Sequence, residues 1–213
     1  MRFRDRADAG TQLGARLRDM DLQDPVVLGL PRGGVVVAAE VAAALGAPLD
    51  IIVARKLGVP RQPELAFGAV APGIVVFQQD VVHAAGVQAT EMDVAVSRES
   101  TRLQPLADRY RGGLPEMSLA DRTVVIVDDG LATGATARAA VRSVRRAGPR
   151  AVIVAVPVAA LETARSLRTE VDAVIALLEP HDFHAVGVYY DDFAPVADDV
   201  VRERLSAGNA RRV

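Results

Sequence analysis

The chain has 213 residues, half of them apolar, with 25 basic against 27 acidic side chains and no cysteine. That length and apolar content suit one domain with a sizeable core, the near balance of charge leaves no basic excess for phosphate-rich nucleic acid, and the missing thiols exclude disulfides, thiolate metal sites and cysteine nucleophiles, in keeping with a reducing compartment. The charged start MRFRDRADAG, and the lack of any apolar run near the roughly 18 residues of a membrane span, lead us to expect a cytoplasmic protein with no membrane segment.

Taken in chain order, short Val- and Ile-rich runs recur at Val26 to Leu30, Leu49 to Val53, Val124 to Val127, Ala151 to Val156 and Ala173 to Leu177. Continuous apolar runs of this length read as strands buried on both faces of a parallel sheet. Ala-rich stretches with helical spacing lie between them, at Val35 to Leu45, Ala135 to Ala147 and Ala159 to Arg168, with Gly46 and Gly148 placed as helix-terminating glycines. The alternation predicts a doubly wound, mainly parallel α/β sheet forming one domain over residues 1–213. Two regions break the rhythm. Over about 65–119, Leu65 to Ala71 and Ile74 to Phe77 flank Pro72-Gly73 as a hairpin, and a polar segment follows. There Met92, Val96, Leu103 and Tyr110 form a narrow stripe on a helix that Pro105 should kink or divide, giving a cover or lid. Over about 179–205 a C-terminal hood carries Phe183, Tyr189, Tyr190 and Phe193, either a ring-stacking surface or a minor core.

The chemistry concentrates in Thr123 to Thr136, TVVIVDDGLATGAT. Asp128 and Asp129 end a buried strand at the edge where open α/β sheets bind ligands, and can accept hydrogen bonds from a vicinal diol. Thr133, Gly134, Ala135 and Thr136 lead into a helix and offer backbone N–H groups, hydroxyls and the positive helix end to a phosphate dianion. Neither G-x-x-x-x-G-K-[ST] nor G-x-G-x-x-G occurs, so a P-loop ATPase or a dinucleotide fold is unsupported. Gly29-Leu30-Pro31-Arg32-Gly33-Gly34 follows the first strand, with glycines that admit an anion close to the backbone and an arginine that adds charge. Lys56 is the sole lysine among many arginines; it is either a chance survivor of a GC-rich coding bias or a compact point charge that arginine cannot replace. His181 and His184 have H-x-x-H spacing without an evident third ligand, and His83 is isolated, so structural or surface roles are expected for all three.

The segment VVIVDDGLATGAT resembles the phosphoribosyl pyrophosphate motif of type I phosphoribosyltransferases, and the likeness extends from about Val26 to Leu205. By that resemblance Asp128 and Asp129 bind the ribose 2′- and 3′-hydroxyls, and the run through Gly130, Leu131, Ala132, Thr133, Gly134, Ala135 and Thr136 holds the sugar and wraps its 5-phosphate. Arg32, Gly33, Gly34, Arg55 and Lys56 look like pyrophosphate ligands, with a cis peptide implied at Arg32-Gly33. Mg²⁺ is the implied cofactor, near Asp128 and Asp129 and largely through water. Asp128, Asp129, Arg32 and Lys56 are then the catalytic candidates, and Tyr189 the candidate to stack on an acceptor base. The implied reaction transfers the phosphoribosyl group to a nitrogenous acceptor, releasing pyrophosphate. Family members acting on 6-oxopurines carry an acid where this chain has Ala132, which disfavours those acceptors. Gly130 departs from a usual bulky apolar residue and is expected to loosen the loop. Arg98, Arg102, Arg109 and Arg111 lie on the cover, each expected on a solvated face. A homodimer stays open, because some members direct the basic pair across a subunit interface. The alternative is a non-catalytic sensor of phosphoribosyl pyrophosphate or a nucleotide, although the roughly 25 residues before the first strand are too few for a winged helix and the acidic pI advertises no RNA-binding face.

Overall fold

In a computed structural model describing residues 2–210, the elements in chain order are α1 (Arg6–Arg18), β1 (Pro25–Gly29), α2 (Gly33–Leu45), β2 (Leu49–Ile51), β3 (Arg55–Val59), β4 (Gln62–Ala71), β5 (Ile74–Phe77), α3 (Gln79–Ala85), α4 (Ala89–Ser100), α5 (Leu103–Arg111), β6 (Thr123–Val127), α6 (Ala135–Arg145), β7 (Ala151–Val158), α7 (Leu161–Leu167), β8 (Ala173–Leu178) and α8 (Asp198–Ala210). The five apolar runs form one parallel sheet in the order β2-β1-β6-β7-β8. Their side chains alternate between two cores, as the two-residue period of a strand requires. Val27, Val125 and Val127 enter one, while Val26, Leu28, Val124 and Ile126 enter the other with Ala137, Ala140 and Val141 of α6. Both faces are therefore covered, which is why these strands read as unbroken apolar runs.

The strand order reverses between β1 and β6. From β1 the chain crosses through α2 to β2 on one side, and from β6 it crosses through α6 to β7 on the other. Such a reversal opens a crevice beyond the carboxyl ends of the two central strands. Gly29 is in register with Val127, and the Leu30 N–H donates to the Val127 carbonyl at 2.9 Å, so the loops after β1 and β6 leave the sheet side by side.

A separate antiparallel sheet, β3-β4-β5, forms the body of the cover. Its β4-β5 hairpin turns at Pro72-Gly73 as the sequence indicates, whereas β3 is a strand that the sequence reading did not anticipate. The helical stripe does divide, but at Thr101 and Arg102 rather than at Pro105. Pro105 falls in the first turn of α5, where its missing N–H would have no intrahelical partner. Arg111 is a correction to the expected solvated face. Its guanidinium is 9% exposed and bonds the buried Asp50 carboxylate at 2.9 Å and the Ile51 carbonyl at 3.2 Å, tying α5 to the end of β2.

α1 was also unanticipated. Asp5 caps it by accepting from the Asp8 N–H at 2.8 Å, and it buries Ala9, Leu13 and Leu17. Segment 179–205 divides in two. Residues up to about 197 lie against the end of β6, and α8 returns to bury Val201 and Leu205 in the core shared with α2. Among the described residues no helix is long and apolar enough to cross a membrane.

Candidate active site

Asp128 and Asp129 stand at the tip of β6, in the crevice where the strand order reverses. Both are partly buried, and the Asp129 N–H donates to Asp128 Oδ1 at 2.8 Å. Burial first, and the neighbouring Asp129 charge second, push the Asp128 carboxyl well above the usual carboxylate range; the hydrogen bond from the Asp129 N–H and then the charge of Lys56 pull it partly back. Asp129 has partners of its own. Arg6 Nε donates to Asp129 Oδ2 at 2.7 Å, and the same guanidinium donates to the Ala194 carbonyl at 2.9 Å while lying 3.8 Å from the Phe193 ring centroid. The Tyr190 hydroxyl donates to the Asp129 carbonyl at 2.6 Å. Burial, then the Asp129 charge, drive the Tyr190 phenol far upward, so it remains a donor.

The loop after the acids is held by its neighbours. The Leu131 N–H donates to the Val158 carbonyl and the Ala160 N–H to the Leu131 carbonyl, both at 2.8 Å, and Thr163 Oγ1 donates to the Ala132 carbonyl at 2.6 Å. Gly134 takes φ 75°, a conformation that strains any residue with a Cβ, and turns the chain into α6. No side chain caps α6. Its first N–H groups, at Ala135, Thr136 and Ala137, are beyond reach of intrahelical carbonyls and point out of a positive helix end. Thr133 is exposed and Thr136 half-buried beside them. Gly130 is not loosened: a Cβ there would fall 2.4 Å from Val186 Cγ1, so the hood's valine fills the space a bulky residue would take.

On the β1 side, α2 begins at Gly33 with no side-chain cap. Gly33 abuts the acids so closely that a Cβ would stand 1.9 Å from Asp129 Oδ2, and a Cβ on Gly34 would stand 2.8 Å from Asp128 Cα. The cis peptide is at Pro31-Arg32, one residue before the implied position. Arg32 is already helical and its carbonyl accepts from the Val35 N–H, so the Arg32-Gly33 bond belongs to the first turn of α2, where a helix needs trans geometry.

Arg55 and Lys56 follow one another along β3 and so face opposite sides of the antiparallel sheet. Lys56 pairs with Ala69, which packs against Ala135 at the start of α6, placing the lysine on the side of the acids and the loop. Arg55 faces the cover, where its Nε donates to Glu99 Oε2 at 2.5 Å. Glu99 also accepts from Arg98 at 2.9 Å and Arg102 at 3.1 Å. Burial would raise that carboxyl, but the Arg55 hydrogen bond and charge, with Arg98 and Arg102, outweigh it and hold Glu99 below its usual range. Arg98, Arg102 and Arg109 keep more than half of their side chains exposed.

The hood aromatics form a minor core. Phe3 and Tyr190 are buried with ring centroids 5.5 Å apart, Phe193 packs 4.9 Å from Tyr190, and Tyr189, also packed against this cluster, stacks on Phe183 at 5.8 Å. His181 and His184 are exposed. The structure thus gathers Asp128, Asp129, the loop 130–136, Gly33, Gly34 and Lys56 about one crevice, with Arg32 at its rim. It turns Arg55 away and adds Arg6, which sequence reasoning missed because its partner lies far along the chain.

This sequence matches the phosphoribosyl transferase domain family over residues 6–192. Proteins of two Mycobacterium tuberculosis strains, provisionally named phosphoribosyl transferases, are 47% identical over 200 residues, which is 93% of this chain and 45% of theirs. The chain therefore spans about half the length of these curated relatives. The crystal structure of TT1426 from Thermus thermophilus superposes with a TM-score of 0.80 at 46% identity, covering 96% of this chain and 98% of that one. AQ2163 of Aquifex aeolicus, 14% identical, shares the fold alone, with a TM-score of 0.54 over 95% of this chain and 85% of its own.

Proposed function

The chain belongs to the phosphoribosyl transferase domain family, and from that premise we propose that it transfers the 5-phosphoribosyl group of phosphoribosyl pyrophosphate to a nitrogenous acceptor, a nucleobase, releasing pyrophosphate. The observation that carries the proposal is the crevice between β1 and β6, where two carboxylates at a strand tip and an uncapped helix start lie at one end of the sheet. The 5-phosphate accepts hydrogen bonds from the N–H groups at the start of α6 and from Thr133 and Thr136. The ribose hydroxyls donate to Asp128 and Asp129. Arg6 orients Asp129, and the missing side chains of Gly33 and Gly34 let the loop after β1 pack directly against both acids.

Positive charge develops on the sugar as its bond to pyrophosphate lengthens, and negative charge collects on the leaving group. Lys56, on the acid-facing side of β3, and Arg32, half-exposed just before α2 and 3.8 Å from Asp198, are the cations we assign to receive it. Two hard carboxylate oxygens suit Mg²⁺, but Arg6 occupies one Asp129 oxygen and the Asp129 N–H occupies one of Asp128. Asp128 and Asp129 would therefore hold the ion mainly through water. When bound, Mg²⁺ supplies charge neutralisation for the leaving pyrophosphate. Ala132 offers no carboxyl to a base, which disfavours 6-oxopurine acceptors, and Tyr189, stacked on Phe183, is the candidate acceptor platform.

Pyrophosphate release measured with Mg²⁺ and phosphoribosyl pyrophosphate against a panel of nucleobases tests the reading. Turnover with one base is the expected result. Mg²⁺-dependent binding without turnover on any base would replace the enzyme with a sensor of the same ligand.

A further inference from the structure

On the face of the antiparallel sheet turned away from the acids, a cavity of about 320 Å³ opens between β3 and α5, lined by Arg55, Thr101, Arg102, Pro105, Leu106 and Arg109. At about 30 Å³ per water it has room for a group the size of a diphosphate. Its charge is unbalanced. Arg55, Arg98 and Arg102 all depend on Glu99, which is buried behind them, and Arg109 shares Asp198 with Arg32. The three arginines that line the opening, Arg55, Arg102 and Arg109, thus share two carboxylates with Arg98 and Arg32, which lie outside it. Asp198 is further engaged by the Tyr110 hydroxyl at 2.9 Å, and its contacts to Arg109 and Arg32, at 3.5 and 3.8 Å, are too long for good hydrogen bonds. The nearby Asp108 accepts from Gln104 on an adjoining side of α5. Three arginines from two elements therefore converge on one opening with an excess of positive charge, and guanidiniums present forked donors that match phosphate oxygens.

We propose that this cavity is a second anion site, separate from the acid-pair crevice, that binds a diphosphate group. Lys56 and Arg55 mark the separation, since neighbouring residues of one strand serve opposite faces. The same diphosphate chemistry is offered by free pyrophosphate and by a nucleoside di- or triphosphate, and in either case Arg102 and Arg109 supply the exposed donors while Arg55, anchored on Glu99, forms the back wall.

The test is calorimetric titration of the full chain at low salt with inorganic pyrophosphate and, separately, with GTP, for the wild type, Arg102→Gln/Arg109→Gln and Pro105→Glu. Pro105→Glu places a carboxylate at the mouth of the cavity from the first turn of α5, where an acid suits the helix end, so it decides the matter should the double variant fold poorly. Since the acid-pair crevice is itself proposed to hold pyrophosphate, the expected outcome is two saturable pyrophosphate sites in the wild type, one of them weakened at least tenfold in the variants while the other, and Mg²⁺-dependent binding of phosphoribosyl pyrophosphate, are retained. The tighter of the two probes identifies the source of the diphosphate. A single pyrophosphate site in the wild type, or two sites with equal affinities in wild type and Pro105→Glu, would overturn the proposal.

Discussion

Replacing Arg6 by methionine removes the guanidinium while keeping an unbranched apolar stem in the same space. The arginine and Asp129 side chains are 10% and 18% exposed. Removing one partner of a buried ion pair costs about 3–5 kcal/mol, and the water still reaching Asp129 favours the lower end. The cation over the Phe193 ring and the bond to the Ala194 carbonyl are lost as well, so about 3 kcal/mol is a fair total. For a domain of this size about 2–4 °C of Tm accompanies each kcal/mol, so the melting temperature should fall by about 6–12 °C. Two readouts separate stability from positioning. Thermal unfolding should show the drop, and Mg²⁺-dependent binding of phosphoribosyl pyrophosphate, measured well below the new Tm, should weaken at least tenfold because Asp129 has lost its orientation. A Tm change under 2 °C together with unaltered binding would refute the role assigned to Arg6.

Other consequences follow from contacts about the same crevice. Gly33→Ala brings a methyl group 1.9 Å from Asp129 Oδ2, so the carboxylate must move; overpacking of this kind costs about 1–3 kcal/mol, and calorimetry should show ligand binding lost from a protein that still melts cooperatively. Gly130→Val collides with Val186 and should lower Tm, while Val186→Ala in the same chain should restore most of the loss; failure of that rescue would mean that the hood does not rest on the loop as described. The raised Asp128 carboxyl makes the folded state bind more protons than the unfolded one between the ordinary carboxylate pKa and the raised value. Its contribution is therefore lost as pH rises through that window. Asp128→Asn should melt higher than wild type near neutrality, with the gain shrinking toward pH 4, and a pH-independent difference in Tm would contradict this.

The parallel sheet was legible because β1, β6 and β7 are buried on both faces and their sequences, PVVLG, TVVIV and AVIVAVPV, are apolar almost throughout and rich in Val. The acid pair and the helix-start loop were legible because their chemistry is contiguous in the chain. α1 was not, since Leu13 and Leu17 are the only large apolar residues on its buried face and Gly10 and Gly14, poor helix formers, share that face with them. β3 escaped because RKLGV has two apolar residues at most to mark it and its pairing with β4 shifts register twice. The same oversight left Arg55 and Lys56 reading as one basic pair, when the period of an unrecognised strand sends them to opposite faces. Arg111 was expected in solvent because its partner, Asp50, lies on another element, and Arg6 escaped notice for the same reason. Long-range ion pairs leave no local mark in a sequence.

Titration of Mg²⁺ and phosphoribosyl pyrophosphate into the wild type and into Asp128→Asn/Asp129→Asn, by calorimetry at neutral pH, tests most directly whether the strand-tip acids and the turn beyond them clasp the two ends of one phosphorylated pentose. The wild type should bind saturably, and the double variant, measured well below its own Tm, should bind at least tenfold more weakly, a loss of about 1.4 kcal/mol or more. Equal affinity in the two proteins would contradict the assignment of this crevice as the site.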